Sequence, residues 1–164
     1  MYNFSMNDKN QSYEIGMLLK SRGLWLATAE SCTGGLLGST ITDVPGSSTY
    51  FLGGIIAYSN SSKTEVLGVP LETIQKFGAV SSRTAIGMAV GILNNFGCDF
   101  AIAITGITGP TGGSDAKPVG TVFIATATED GEQAKEFHFK GSRAQIKSAS
   151  VKTALEMACE ALAD

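Results

Sequence analysis

The stretch Leu24-Trp25-Leu26-Ala27-Thr28-Ala29-Glu30-Ser31-Cys32-Thr33-Gly34-Gly35-Leu36-Leu37-Gly38-Ser39-Thr40-Ile41 decides how the chain is read. Leu24 to Ala29 is an apolar run of strand length, and Leu36 to Ile41 is apolar at helical spacing. Between them, Glu30 to Gly35 is a polar, Gly-bearing turn. A strand that passes straight into a helix is the unit of an open α/β sheet, and ligands of such sheets bind at the carboxyl ends of the strands. Ser31 or Thr33 is expected to cap the helix, and Gly34-Gly35 lets the backbone approach a ligand closely.

The same pattern recurs outward from this point. Upstream, Gln11 to Arg22 carries Ile15, Leu18 and Leu19 at helical spacing, Gly23 stops it, and residues 1 to 10 read as a loosely ordered polar start. Downstream, Gly53 to Tyr58 reads as a strand ending in the turn Ser59-Asn60-Ser61-Ser62, which opens a short helix carrying Lys63. A helix begins near Pro70 and closes at Gly78, and Ser81 caps a longer one that Gly97 ends. Phe100 to Ile104 is almost continuously apolar, as in a strand covered on both faces, and Thr105 to Gly113 follows as a third loop at a strand end. Val119 to Ala127 and Ala134 to Lys140 flank the turn Glu129-Asp130-Gly131-Glu132 as an antiparallel hairpin, and a last helix follows Gly141-Ser142. The expected fold is a three-layer α/β/α sandwich in one domain, 1 to 164, with a mixed, largely parallel sheet and one antiparallel hairpin.

Composition narrows the function. The 164 residues include 20 Gly, well above the usual ~7%, with only 4 Pro and 43% hydrophobic residues, which argues for turns and close approaches in a folded core. One His and the separated Cys32, Cys98 and Cys159 supply no usual zinc ligand set, so no metal or other cofactor is expected. The odd thiol count and the polar N-terminus, with no signal-peptide pattern, point to a reducing cytoplasm. No apolar stretch reaches the ~20 residues of a membrane span. A net charge of −3 without a basic stripe argues against nucleic acid as ligand and leaves a small molecule.

The familiar nucleotide and hydrolase patterns fail residue by residue. No two Gly lie two apart, which removes G-x-G-x-x-G; no Lys follows a Gly, which removes the P-loop; and no G-x-S-x-G elbow exists. Ser114-Asp115-Ala116-Lys117 has S-x-x-K spacing, but Pro118 disfavours the helical turn that makes that spacing useful. What remains is a set of polar residues at successive strand ends: Ser31, Tyr58 with Lys63, and Thr105 with Gly106. Ser31 beside two Gly has the access and the free N–H groups of an acyl-transfer nucleophile, and it lacks a His partner, because His138 lies in the alternating run Glu136 to Lys140 and reads as solvated. Lys63, best placed of nine Lys, is then the available base, provided burial lowers its pKa. Each residue also has a plainer reading: Ser31 as a helix cap, Cys32 as a small core residue, Tyr58 as packing, Lys63 as a solvated first-turn Lys, and Thr105-Gly106 as an ordinary turn. Arg143 is unfavourably placed for the dipole of the last helix.

These residues resemble a known family. Ala29-Glu30-Ser31-Cys32-Thr33-Gly34-Gly35, Pro45-Gly46-Ser47-Ser48, Tyr58-Ser59-Asn60 with Lys63, Gly78-Ala79-Val80-Ser81, Thr105-Gly106-Ile107 with Gly109-Pro110, and Lys117-Pro118-Val119-Gly120 are similar, in order over residues 11 to 162, to the CinA C-terminal domain family of nicotinamide mononucleotide deamidases. The resemblance implies a metal-independent amidohydrolase of pyridine nucleotide recycling, releasing nicotinate mononucleotide and ammonia. It implies Ser31 as nucleophile, Lys63 as general base, Tyr58 orienting Lys63 or passing a proton, and helix N-terminal amides holding the oxyanion. Ser48, Thr105, Gly106 and Arg143 would bind the nucleotide, with Thr33 and Gly34 of the nucleophile turn. It also implies a homo-oligomer, with a dimer favoured. Thr108 stands where the family usually has Ala, and Lys147 where Arg is common. Many relatives carry an additional N-terminal domain for which this chain is too short, so that domain's activity is expected to be absent. A non-catalytic nucleotide-binding module and an amidase for another small carboxamide are the alternative readings.

Overall fold

The computed structural model describes residues 6–163, with side chains from residue 11 onward. Helix α1 (Met6–Arg22) is followed by strand β1 (Leu26–Glu30), helix α2 (Leu36–Thr42), a 3-10 turn at Ser47–Thr49 and strand β2 (Phe51–Ile56). Next come α3 (Asn60–Glu65), α4 (Leu71–Phe77), α5 (Ser82–Phe96), β3 (Phe100–Gly106), β4 (Thr121–Thr128), β5 (Gly131–His138) and α6 (Arg143–Ala163). The sheet order is β2-β1-β3-β4-β5, with β2, β1 and β3 parallel and β4 and β5 antiparallel. The mixed sheet and its hairpin are as the sequence predicts.

Helix α1 starts at Met6, more than a turn before the expected Gln11. The remainder of the expected loose start, residues 1–5, lies outside the described residues. Several strands shift by two or three residues, and one shift matters for the site: β1 runs to Glu30, which belongs to the strand rather than to the turn. Tyr58, expected to end β2, lies two residues beyond it.

The layering follows from alternation on the central strand. In β3, Phe100, Ile102 and Ile104 join the cluster made with Ile15 and Leu19 of α1, Leu37 and Ile41 of α2, and Ile146, Val151 and Leu155 of α6. Ala101 and Ala103 face the opposite layer with Met88 and Ile92 of α5, where Ala27, Ala29, Ala125 and Ala127 lie too. Large side chains on one face and Ala on the other let α5 sit close to the sheet while both faces stay covered, as a parallel centre requires. α5 is bounded as its sequence signals dictate. Ser81 Oγ accepts from Thr84 N at 3.2 Å, and Gly97 takes the left-handed cap with φ 58°.

The two edges of the sheet differ in chemistry. β5 carries Glu132, Lys135, Glu136 and an exposed His138 whose Nε2 lies 3.1 Å from Glu136 Oε1, so His138 is the solvated residue expected of it. β2 is uncharged, Phe-Leu-Gly-Gly-Ile-Ile, and tolerates no side chain at Gly54, where a Cβ would sit 2.3 Å from Thr28 Oγ1.

Candidate active site

Register brings the polar strand ends together. Glu30, the last residue of β1, pairs with Ile56 of β2 and Ile104 of β3, so the residues that follow all three strands emerge side by side. Two backbone bonds extend the ladder past the strands: Ser31 N donates to Ile104 O at 2.9 Å, and Ala57 N to Glu30 O at 2.8 Å. Ser31, Lys63, Tyr58, Thr105 and Gly106 meet here at a cavity of about 290 Å³, together with Arg143 from the start of α6. Cys32, Thr108, Ala79 and Val80 also form part of its wall.

Lys63 is the least expected of these side chains. It is 1% exposed, placed inward by α3, whose N-cap Ser59 accepts from Ser62 N at 3.0 Å. Its Nζ lies 2.9 Å from Ser31 Oγ, 2.8 Å from Ala57 O and 3.4 Å from Tyr58 O. Among the described residues no carboxylate pairs with it. Burial pushes its pKa below that of an ordinary lysine, with a smaller opposing influence from Cys32. All three partners are oxygens placed to accept from the amine, Ser31 Oγ among them. Ser31, 7% exposed, is thus a hydroxyl held against a buried lysine whose pKa burial lowers.

The turn before α2 departs from expectation. Neither Ser31 nor Thr33 caps the helix; its N-cap is Gly35, in the left-handed region at φ 95°, with no side-chain bond of its own. The cap comes from Glu30, buried at 2% exposure, whose carboxylate accepts from Gly35 N at 3.0 Å, Leu37 N at 3.0 Å and Gly38 N at 2.8 Å. A carboxylate on the positive end of the helix is well placed electrostatically. It also occupies the amides that the sequence reading assigned to an oxyanion. Of the residues after Ser31, Cys32 lines the cavity beside it, and Gly34 N donates back to Ser31 O at 3.1 Å.

Three other expected roles change. Tyr58 meets Lys63 with its carbonyl, not its phenol; the exposed ring sends its hydroxyl to accept from Arg143 Nη2 at 3.2 Å. Ser48 is exposed in the turn before β2, and Phe51 pairs with Leu26 at the amino end of β1. A five-residue strand separates it from Ser31, roughly 16 Å at the usual rise, so this chain does not bring Ser48 into the cavity. Thr33 is fully buried with its Oγ1 unbonded among the described residues, and Gly34, at φ 63°, makes the turn; neither lines the cavity.

Thr105, Gly106 and Arg143 sit where expected. Thr105 Oγ1 donates to Ala79 O at 2.8 Å, and Gly106 has no room for a Cβ, which would come within 2.7 Å of Val122 Cγ2. Arg143 Nη1 donates to Gly109 O at 2.7 Å, closing α6 over the 107–120 loop. That loop folds back on itself: Ile107 N donates to Thr121 O, Gly120 N to Ile107 O and Ser114 N to Lys117 O. Cys32 takes its plainer reading. It is buried, and its thiol is pushed up to about 12, chiefly by burial, so no thiolate is available near neutral pH.

A model of the CinA C-terminal domain matches residues 8–162. The chain belongs to the CinA C-terminal domain family. This CinA-family chain is 52% identical over 143 residues to a CinA-like protein of Desulfotalea psychrophila, covering 87% of the chain and 35% of that protein. It is 47% identical over 146 residues to a CinA-like protein of Geotalea uraniireducens, covering 89% of the chain and 35% of that relative. The chain therefore spans about a third of the length of the curated relatives it matches. Among solved structures, the competence/damage inducible protein CihA from Agrobacterium tumefaciens superposes with a TM-score of 0.95 at 42% identity over 100% of both chains. A CinA superfamily protein from Klebsiella pneumoniae gives 0.92 at 33% identity, covering 95% of this chain and 98% of that one.

Of the two residues set apart in the sequence, Thr108 lines the cavity and Lys147 lies beside the turn after Ser31. Thr108 is 2% exposed on the cavity wall with its Oγ1 unbonded among the described residues. Lys147, on α6, brings its Nζ within 3.7 Å of where a Cβ on Gly34 would lie. Sequence reasoning missed Glu30 and Lys117. Glu30 carried one signal, a lone carboxylate at the end of an apolar strand. Local capping rules look one residue before a helix and not six. No helix among the described residues is long and apolar enough to cross a membrane.

Proposed function

We propose that the chain is a nicotinamide mononucleotide deamidase acting through Ser31 and Lys63. The observation that carries the reading is the buried 2.9 Å contact between Lys63 Nζ and Ser31 Oγ, in which burial lowers the pKa of the base and the hydroxyl lies at a cavity. Lys63 accepts the hydroxyl proton as Ser31 Oγ attacks the carboxamide carbon, and the carbonyl oxygen becomes an oxyanion on the side of the cavity that Cys32 lines. The lysine then returns the proton to the departing nitrogen, releasing ammonia and leaving an acyl-enzyme. Water, deprotonated by the same amine, attacks the ester and yields the pyridine carboxylate, restoring Ser31. Nothing in this cycle requires another side chain to change charge.

A cavity of about 290 Å³ lies at the lower end of the range for small-molecule sites and suits a mononucleotide better than a dinucleotide. Arg143 at the helix start supplies a fork suited to a phosphate. The test is ammonia release from nicotinamide mononucleotide by the full chain. Release that persists in Ser31→Ala sinks the dyad, and tight binding with no ammonia from the wild type shows a binding module instead.

A further inference from the structure

Two segments singled out in the sequence, Gly78-Ala79-Val80-Ser81 and Lys117-Pro118-Val119-Gly120, have no part in the chemistry above, yet the structure ties them together. Lys117 Nζ donates to Phe77 O at 2.9 Å and to Val80 O at 2.6 Å. Between those two carbonyls, Gly78 O accepts from Ser81 Oγ at 3.0 Å and Thr84 Oγ1 at 2.7 Å, and Ala79 O accepts from Thr105 Oγ1 at 2.8 Å. Four consecutive carbonyls are thus each held by a side chain, and Ala79 and Val80 form part of the cavity wall. Gly78 has φ 86°, and a Cβ on it would lie 3.3 Å from Lys117 Nζ, so the amine packs directly against this backbone. Such saturation is unusual for a loop, whose carbonyls more often face water.

We propose that Lys117 is a positioning residue for substrate: it draws the 77–81 backbone against the 107–120 loop, and the wall so placed sets the affinity for the nucleotide. The proposal rests on the deamidase reading for the identity of that nucleotide. Lys117 bonds to neither Ser31 nor Lys63, so its loss acts on binding and leaves the dyad assembled. A lysine with only a structural role would lower stability without separating KM from kcat.

The experiment compares wild type and Lys117→Met in the full chain. Amide hydrogen exchange across residues 77–81 is measured without ligand, then steady-state ammonia release from nicotinamide mononucleotide. Expected are exchange at least tenfold faster at Gly78, whose N–H donates to Ile74 O, a KM at least fivefold higher and a kcat within threefold of wild type. Unchanged exchange, unchanged KM, or a loss confined to kcat overturns the proposal. Should the Met variant fail to fold, Lys117→Gln is read by the same criteria. If the wild type releases no ammonia, the deamidase reading fails on its own, and exchange decides the clamp: faster exchange confined to 77–81 supports it, unchanged exchange overturns it.

Discussion

The turns that follow β1 and β2 solve the same problem with opposite charges. Each leads from the carboxyl end of a parallel strand into a short helix, and each buries one ionisable side chain. After β1 the residue is Glu30, and its carboxylate is satisfied by three backbone N–H groups of α2. After β2 it is Lys63, whose amine is satisfied by two backbone carbonyls and by Ser31. Glu30 spends all its bonds on the main chain and leaves nothing to react. Lys63 keeps one bond to a side chain at the cavity, and that bond is the one chemistry can use. Burial alone therefore does not mark a reactive group; the kind of partner does.

The comparison breaks most plainly in activity. Lys63→Ala and Ser31→Ala are expected to lose at least ~10³-fold in kcat for ammonia release, with the double variant no worse than either alone, as for residues acting as a unit. Additive losses in the double variant would show that the two act separately. The next effect belongs to Glu30. Glu30→Ala strands three α2 amides and is expected to cost about 3 kcal/mol of stability, read by urea unfolding, against a much smaller change for Ser31→Ala. A Glu30→Ala protein as stable as wild type would remove the cap from the account.

The pH dependence sharpens the pair further. Burial lowers the Lys63 pKa, and the free amine is the active form, so kcat/KM should rise with pH and level off below the 10.5 of an ordinary lysine. A profile that is still climbing at pH 10.5, with chemistry limiting, would mean that Lys63 titrates normally. The smallest expected effect is on stability. Folding depresses the lysine pKa, so the folded protein binds fewer protons than the unfolded chain between the two pKa values, and the contribution is fully present above 10.5 and lost as pH falls through the folded value. The Tm of wild type relative to Lys63→Met should therefore move in favour of wild type as pH is raised. A gap that does not change with pH would contradict the buried, neutral amine.

The sheet, its hairpin and the helix caps at Ser81 and Gly97 were legible because they depend on short-range chemistry: alternation, Ser at an N-cap, Gly at a left-handed stop. Ser31, Lys63, Thr105 and Gly106 were legible as strand-end residues, and the parallel register brings them together. What the chain did not disclose depends on distances no local rule measures. Glu30 caps from six residues ahead of the helix, Lys117 reaches carbonyls some forty residues away, and Tyr58 contributes its backbone where its ring was expected. Ser48 failed for a topological reason. In a parallel pair, the residue before a strand and the residue after its neighbour lie at opposite ends of the sheet, however close the motifs stand in sequence.

The 107–120 loop begins at the end of β3 and returns to β4 beside it, and backbone bonds between Ile107, Gly120 and Thr121 close its neck. Because the neck is sealed, the span from Thr108 to Pro118 behaves as a cassette: residues added or removed there alter the ceiling of the cavity without pulling on the strands that carry Ser31 and Thr105. On the deamidase reading, the stretch that shapes the ceiling of the cavity is thereby distinct from the residues that carry Ser31 and Lys63, and one can be re-tailored while the other stays fixed.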